Sequence, residues 1–165
     1  MGARTIIEDT RQQKAHGDKH ALKHIGFEHA GLAVIRSKLP FGDYAWPPAC
    51  AVDTKQSIAE LHQNVTSEHA RFVRECEAAR DAGCQLAILV ENRHGVASLA
   101  DLAAWSEPEA EFAKRKGAKR PISGAQLAKA CNTLHERYGV LFGFCAPEES
   151  ADKIIRILDH YGGGE

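Results

Sequence analysis

Short apolar runs and longer segments with helical spacing alternate along this chain of 165 residues. Apolar or β-branched runs predict strands at 5–8, 32–35, 43–46, 49–55, 85–91 and 140–145. Apolar residues at helical spacing predict helices at 21–29, 57–63, 67–82, 98–105, 123–138 and from 147 onwards. The continuous apolar run QLAILVE at 85–91 is typical of a strand that is covered on both faces of a sheet.

The order of these segments predicts the fold class. Strands that alternate with helices favour an α/β fold, in which one central mixed β-sheet has helices packed on both faces. No segment rich in Gly, Pro or Ser divides the chain, so we expect a single domain over 1–161 and a flexible tail over 162–165. The polar stretch 107–121 predicts an irregular loop.

Composition limits the kinds of partner that this protein can bind and indicates the cellular compartment in which it works. Lys and Arg total 21 and Asp and Glu total 22, a net charge of -1, so any contact with DNA must use a local basic patch. No apolar run approaches the roughly 20 residues that a membrane helix needs, and no signal-peptide pattern opens the sequence. Five cysteines without a C-x-x-C pair are typical of buried thiols in a reducing compartment, which predicts a cytoplasmic protein.

The candidate active site lies around the third and fourth predicted strands. Asp43 and Asp53 lie on adjacent extended segments joined by a turn, so their carboxylates can converge. Asp53 and Lys55 are two residues apart on one strand and therefore point to the same face. Asp9, at the end of the first strand, could complete the group. Paired carboxylates suit Mg²⁺, and a nearby Lys can position the water that attacks a phosphodiester.

Spacing alone leaves an equally good alternative for these residues. Acids and lysines are common, so the segment could be a solvated hairpin with a surface ion pair. In either case we expect Asp53 and Lys55 at the solvent edge of the sheet.

Three of the nine histidines, His16, His20 and His24, recur at every fourth position. On a helix they could share one face, which would either hold a transition metal or form a solvated polar surface. Because no Cys or carboxylate lies nearby at the usual ligand spacing, the solvated surface is the favoured interpretation.

Five segments carry a further pattern: EDTRQ at 8–12, LPFGDY at 39–44, DTK at 53–55, LAILVE at 86–91 and FGFCAPEESADKI at 142–154. In this order they resemble the motifs of the nuclease domain of the XPF-type structure-specific DNA endonucleases, within the PD-(D/E)xK superfamily. The resemblance spans nearly the whole chain. It implies a restriction-endonuclease-like nuclease core.

The resemblance implies a role for each matched residue. Asp43 and Asp53 would bind Mg²⁺ or Mn²⁺, helped by the backbone carbonyl of Thr54. Lys55 would be the catalytic lysine, and Asp9 would be a further acid near the metal.

Contact with DNA phosphates is implied for Arg11 and is possible for a dense basic segment. Five cations occur within seven residues: Lys114, Arg115, Lys116, Lys119 and Arg120. Such a run is usually a solvated loop, but beside a nuclease site phosphate contact is an equally good interpretation.

The predicted function is therefore a metal-dependent DNA endonuclease that acts on branched or structured DNA, as in DNA repair. Relatives pair through their nuclease domains, and Ile157 and Tyr161 extend the apolar surface of the last helix, so we expect a homodimer. Several positions depart from the family pattern: Asp53 replaces the longer Glu, and Ala59 stands where an acid is usual. These departures keep open a catalytically weak or inactive module that binds DNA or a partner. A histidine-rich metal-binding protein is the third and weakest interpretation.

Overall fold

The computed structural model describes residues 4–12, 18–47, 49–105 and 123–162. The strands are β1 (Thr5–Glu8), β2 (Ala33–Arg36), β3 (Tyr44–Trp46), β4 (Cys50–Lys55), β5 (Gln85–Glu91) and β6 (Leu141–Cys145). The α-helices are α1 (Asp18–His29), α2 (Ile58–Val65), α3 (His69–Asp81), α4 (Leu99–Ala104), α5 (Gly124–Tyr138) and α6 (Ser150–Tyr161). The predicted α/β fold class is confirmed.

All six strands form one mixed sheet with the order β2-β1-β3-β4-β5-β6. The pairs β1–β2, β4–β5 and β5–β6 are parallel, whereas β3 is antiparallel to both of its neighbours. The apolar run predicted to be covered on both faces is β5, which lies between β4 and β6 and is buried from Leu86 to Glu91. Burial of both faces requires helices on both sides of the sheet.

Two hydrophobic cores, one on each face of the sheet, follow from the alternation of side chains along the strands. Core A contains Ala51 of β4 and packs against helices α2 to α5. Core B contains Cys50 and Val52 of the same strand and packs against α1 and α6. A side chain on β4 therefore belongs to one core or the other according to its position in the alternation.

The element boundaries differ from the predictions by a few residues at several places, and two of these differences are informative. Helix α1 begins at Asp18 instead of residue 21. The last helix is preceded by a 3₁₀ turn, Pro147–Glu149, whose first residue suits the first turn of a helix. The predicted loop at 107–121 lies outside the described residues.

The last helix offers less unpaired apolar surface than the sequence suggested. Ile157 packs in part against core B of its own chain, while Tyr161 is exposed. The homodimer stays a prediction. Among the described residues, no helix combines the length and the apolar character needed to cross a membrane.

Candidate nuclease site

The β3–β4 hairpin brings the two predicted metal-binding carboxylates together. Its register pairs Tyr44 with Val52, and one further step places Asp43 opposite Asp53. The Asp43 N–H donates a hydrogen bond to the Val52 carbonyl (2.8 Å), which holds this end of the hairpin closed. Gly42 precedes Asp43 with a φ of 76°, a left-handed conformation that glycine adopts without strain.

The carboxylate of Asp43 is oriented by Thr54. Its Oδ2 atom accepts hydrogen bonds from the Thr54 backbone N–H and from the Thr54 hydroxyl, both at 2.7 Å. Within the described residues, no hydrogen bond goes to the other oxygen, Oδ1. The short side chain of Thr54 thus takes part in positioning a neighbouring acid.

Asp53 and Lys55 form an ion pair with 2.6 Å between Asp53 Oδ2 and Lys55 Nζ. The expectation that they lie at the solvent edge is wrong, because the residues are only 7% and 8% exposed. Both project into core A, where the Lys55 ammonium lies 6.0 Å from the ring centroid of Phe72. The alternative of a surface ion pair is therefore excluded for this pair.

The charges at the site are unbalanced toward the negative. Burial, and then the charge of Asp53, raise the pKa of Asp43 to about 8, although the hydrogen bonds from Thr54 oppose this shift. Burial would lower the pKa of Lys55, but the charges of Asp53, Glu60 and Glu75 outweigh it, so that this pKa is raised. One ammonium thus faces several carboxylates.

Glu75 of α3 is a fourth carboxyl at the site and was missed by the sequence analysis. Its Oε1 accepts a hydrogen bond from the backbone N–H of Gly42 at 3.1 Å. Burial and the charge of Asp53 raise its pKa. The only signal in the sequence is an acid beside the apolar stripe of Phe72 and Cys76 on a helix that packs against the sheet.

The backbone of Asp9 is hydrogen-bonded to the backbone of this site, and both oxygens of its side chain already have partners. The Asp9 N–H donates to the Asp43 carbonyl at 2.7 Å. Its Oδ2 lies 2.6 Å from Nε of Arg11, and its Oδ1 accepts the N–H of Leu39 at 2.8 Å. Burial would raise the pKa of Asp9, but the hydrogen bonds from Arg11 and Leu39 outweigh it and lower the pKa. This geometry suits a carboxylate that positions the loop leading to Asp43.

Arg11 stands at the rim of the site. Its side chain is 61% exposed, although it is paired with Asp9 and donates through Nη2 to the Leu39 carbonyl at 3.0 Å. The pKa of Arg11 is raised first by its hydrogen bond with Asp9, and the charges of Asp43 and Glu75 add to this effect. A DNA phosphate could reach this guanidinium. The five candidate cations between 114 and 120 lie outside the described residues.

The donor set suits a hard divalent cation. Carboxylate oxygens are the preferred protein ligands of Mg²⁺, and Asp43 has an oxygen that Thr54 does not engage. Burial, and then the negative charge of Asp53, raise the pKa values of Asp43 and Glu75, so a positive charge at the site would favour their ionised forms. A bound cation would supply that charge and keep both groups ionised.

Comparison with known proteins shows the fold. No protein-family model and no curated protein matches the sequence. The solved structure of XPF from Aeropyrum pernix matches with a TM-score of 0.64 and 17% identity, over 94% of this chain and 64% of that chain. A structure of XPF from Aeropyrum pernix in complex with DNA matches with a TM-score of 0.60 and 18% identity, over 93% and 62%. This chain thus has an XPF nuclease-like fold and spans a little under two thirds of those chains.

Proposed function

We propose that this chain is a metal-dependent DNA endonuclease that hydrolyses phosphodiester bonds in branched or structured DNA. The fold is the premise, and one observation carries the proposal. Asp43 is held as a buried carboxyl opposite Asp53 and beside the ion pair of Asp53 with Lys55, and a divalent cation would favour the ionised form of both acids. One of the XPF structures with this fold is a complex with DNA, which supports DNA as the substrate.

Each residue at the site has a chemical role in this proposal. Asp43 and Asp53, with the backbone carbonyl of Thr54, would hold Mg²⁺ or Mn²⁺. The chemistry supplied by the bound ion is stabilisation of charge on the phosphate and acidification of water. Lys55, oriented by Asp53, would position the attacking water or neutralise the charge that develops on the phosphate. Arg11 would hold a phosphate at the rim.

The wider surface belongs to the same proposal. The segment from Lys114 to Arg120 would add to the phosphate contact of Arg11, because a chain of net charge -1 attracts DNA only through local cations. A homodimer would present two such sites to one DNA molecule. The five cysteines are free and buried, in keeping with a reducing, cytoplasmic compartment.

One observation favours a second candidate, a module that binds DNA without cutting it. Asp53 is shorter than the Glu usual in the related family, and its Oδ2 lies 2.6 Å from Lys55. A carboxylate engaged by this ammonium has less freedom to hold a metal. In that case the fold and the DNA surface would remain while catalysis would be weak or absent.

A cleavage assay distinguishes the two candidates. Labelled flap, fork, four-way junction and plain duplex DNAs are incubated with the protein and Mg²⁺, Mn²⁺ or EDTA, while fluorescence anisotropy measures binding to the same DNAs. We expect strand cleavage with either metal and none in EDTA. Binding without cleavage in both metals would establish the second candidate, and absence of binding to every DNA would refute both.

A further inference from the structure

A second group of potential metal ligands lies at the end of β1. Glu8 is the last residue of this strand, and His20 and His24 are one turn apart on α1. The Nε2 atom of His20 lies 3.2 Å from Oε2 of Glu8, and the Nε2 atom of His24 lies 2.7 Å from the same oxygen. All three candidate ligand atoms lie within 4.8 Å of one another.

The carboxylate of Glu8 is fixed in place by its surroundings. The residue has no exposed surface. Its other oxygen, Oε1, lies 3.2 Å from Nε of Arg36 on the neighbouring strand β2. Only Oε2 therefore faces the two imidazoles, as in a carboxylate that binds a metal through one oxygen and uses the other for an outer contact.

The distances fit coordination nearly as well as they fit hydrogen bonding. Ligand atoms about 2.0–2.1 Å from a tetrahedral Zn²⁺ are roughly 3.3 Å apart. The contact of His20 with Glu8 already has this spacing, and the contact of His24 with Glu8 is shorter. His24 has a side chain that is 38% exposed, so it can move outward to widen the group.

We propose that Glu8, His20 and His24 form a binding site for a divalent transition metal such as Zn²⁺. Two histidines at i and i+4 on one helix, joined by one Glu, supply three ligands and leave a position open to water. Imidazole nitrogen favours zinc-like ions over Mg²⁺, which prefers oxygen. The metal would join α1 to the end of β1, a strand that lies between β2 and β3.

This site is separate from the candidate nuclease site. Glu8 lies on the core B face of the sheet with Ile6, whereas Asp53 and Lys55 lie on the core A face. Glu91, the other buried acid on the core B side, is paired with Lys23 at 2.7 Å. The sequence favoured a solvated surface for His16, His20 and His24, because the carboxylate comes from a strand that precedes the helix and is not at ligand spacing. His16 lies outside the described residues.

The test uses untagged protein, titrated with Zn²⁺ in isothermal calorimetry at pH 7.5 with saturating Mg²⁺. The variants are His24→Ala and His20→Ala, and the matched control is His29→Ala, an exposed histidine in the last turn of the same helix. We expect one equivalent of Zn²⁺ to bind the wild type and the control alike. Either ligand variant should bind more than about tenfold more weakly. The wild type and each variant are also titrated with the additional substitution Asp53→Asn, which should leave the Zn²⁺ affinity of each protein unchanged.

A second readout reports the ligands directly. Co²⁺ substituted into the wild type should give visible absorption of four- or five-coordinate Co²⁺, and His24→Ala should lose it. Absence of Zn²⁺ binding to a folded wild type would overturn the proposal, and so would equal Zn²⁺ affinity in the wild type and in both ligand variants. Loss of Zn²⁺ binding on Asp53→Asn alone would place the metal at the nuclease site and would also overturn it.

Discussion

Asp53 and Lys55 depend on each other because both are nearly excluded from water. Each charge loses hydration on burial, and the 2.6 Å contact with the other recovers part of that loss. Asp43 adds a second carboxyl that burial and Asp53 keep from ionising readily. These three side chains therefore set both the chemistry and the stability of the site.

Replacement of Lys55 by Met should destabilise the metal-free protein. We expect a loss of about 3 kcal/mol in the free energy of unfolding at pH 8, because Asp53 is then buried without its cation. The double variant Asp53→Asn/Lys55→Met should recover most of this loss. Urea unfolding in EDTA, followed by circular dichroism, measures both. A Lys55→Met protein as stable as the wild type would mean that water, and not Lys55, compensates the charge of Asp53.

Asp43 should make the metal-free protein less stable as the pH rises. Its pKa of about 8 lies above the ordinary value of 3.8, so the folded chain holds a proton that the unfolded chain releases. Between pH 4 and pH 8 this difference penalises folding increasingly, and the penalty is complete above pH 8. In EDTA at pH 8.5, Asp43→Asn should therefore exceed the wild type in unfolding free energy by more than about 1.4 kcal/mol, the equivalent of one pKa unit.

The advantage of Asp43→Asn should shrink toward pH 4, where the wild-type carboxyl is protonated in both states. Thermal unfolding at a series of pH values gives the comparison. An offset between the two proteins that is independent of pH would contradict the assignment of the raised pKa to Asp43.

The local structure of the β3–β4 hairpin determines where Asp43 and Asp53 approach each other. The turn before β3 needs a left-handed residue at Gly42, and α3 braces the same peptide through Glu75. A Cβ atom at Gly42 would lie 3.1 Å from Cβ of Ala51 and 3.2 Å from the Val52 carbonyl oxygen. The position of Asp43 thus depends on a turn, a strand and a helix together.

Replacement of Gly42 by Ala should disturb the site more than the fold. The left-handed backbone alone costs a non-glycine residue about 1–2 kcal/mol, and contact with Ala51 and Val52 adds to that cost. Gly83→Ala is the matched control, since Gly83 has a φ of 69° but open space around its Cβ position. We expect both variants to lose stability and only Gly42→Ala to lose cleavage. Full activity in Gly42→Ala would show that the turn does not position Asp43.

Helix α3 should contribute a carboxylate to the metal site. Glu75→Gln retains an oxygen that can accept the Gly42 N–H but removes the charge, so we expect about 10–100-fold weaker binding of Mn²⁺. Glu77→Gln, on the same helix, is the control and should bind Mn²⁺ like the wild type. Calorimetric titration with Mn²⁺ compares them, and equal affinity in the two variants would exclude Glu75 from the site.

In the whole molecule, two sets of polar residues lie on opposite faces of one sheet. The candidate nuclease site is on the core A face, and Glu8 with its two histidines is on the core B face.

The sequence was sufficient to predict the strands, the helices and the group of Asp43, Asp53 and Lys55, because hairpin neighbours and alternate strand positions are close for local reasons. It was not sufficient for Glu75, for the occupied side chain of Asp9 or for the carboxylate beside His20 and His24. Those contacts arise from tertiary packing between distant segments, which no spacing in the chain records.

The burial of the ion pair was also beyond the sequence. DTK at 53–55 is polar at every position, and Asp53 and Lys55 were expected at the solvent edge of the sheet. Helix α2 packs against β4, and Phe72 of α3 lies close to Lys55, so the ammonium is covered instead of lying in water. Polarity in a strand indicates exposure only where no other element packs over it.

Single-turnover cleavage by the wild type and by Asp53→Asn in saturating Mg²⁺ tests the nuclease assignment most directly. Asn at this position keeps the size of the side chain and removes the charge that would bind metal and orient Lys55. We expect the wild type to cut a branched DNA and Asp53→Asn to cut it at least about 100-fold more slowly. Binding of DNA in EDTA should be unchanged by the substitution. A folded Asp53→Asn protein that cuts at the wild-type rate would contradict the proposed chemistry.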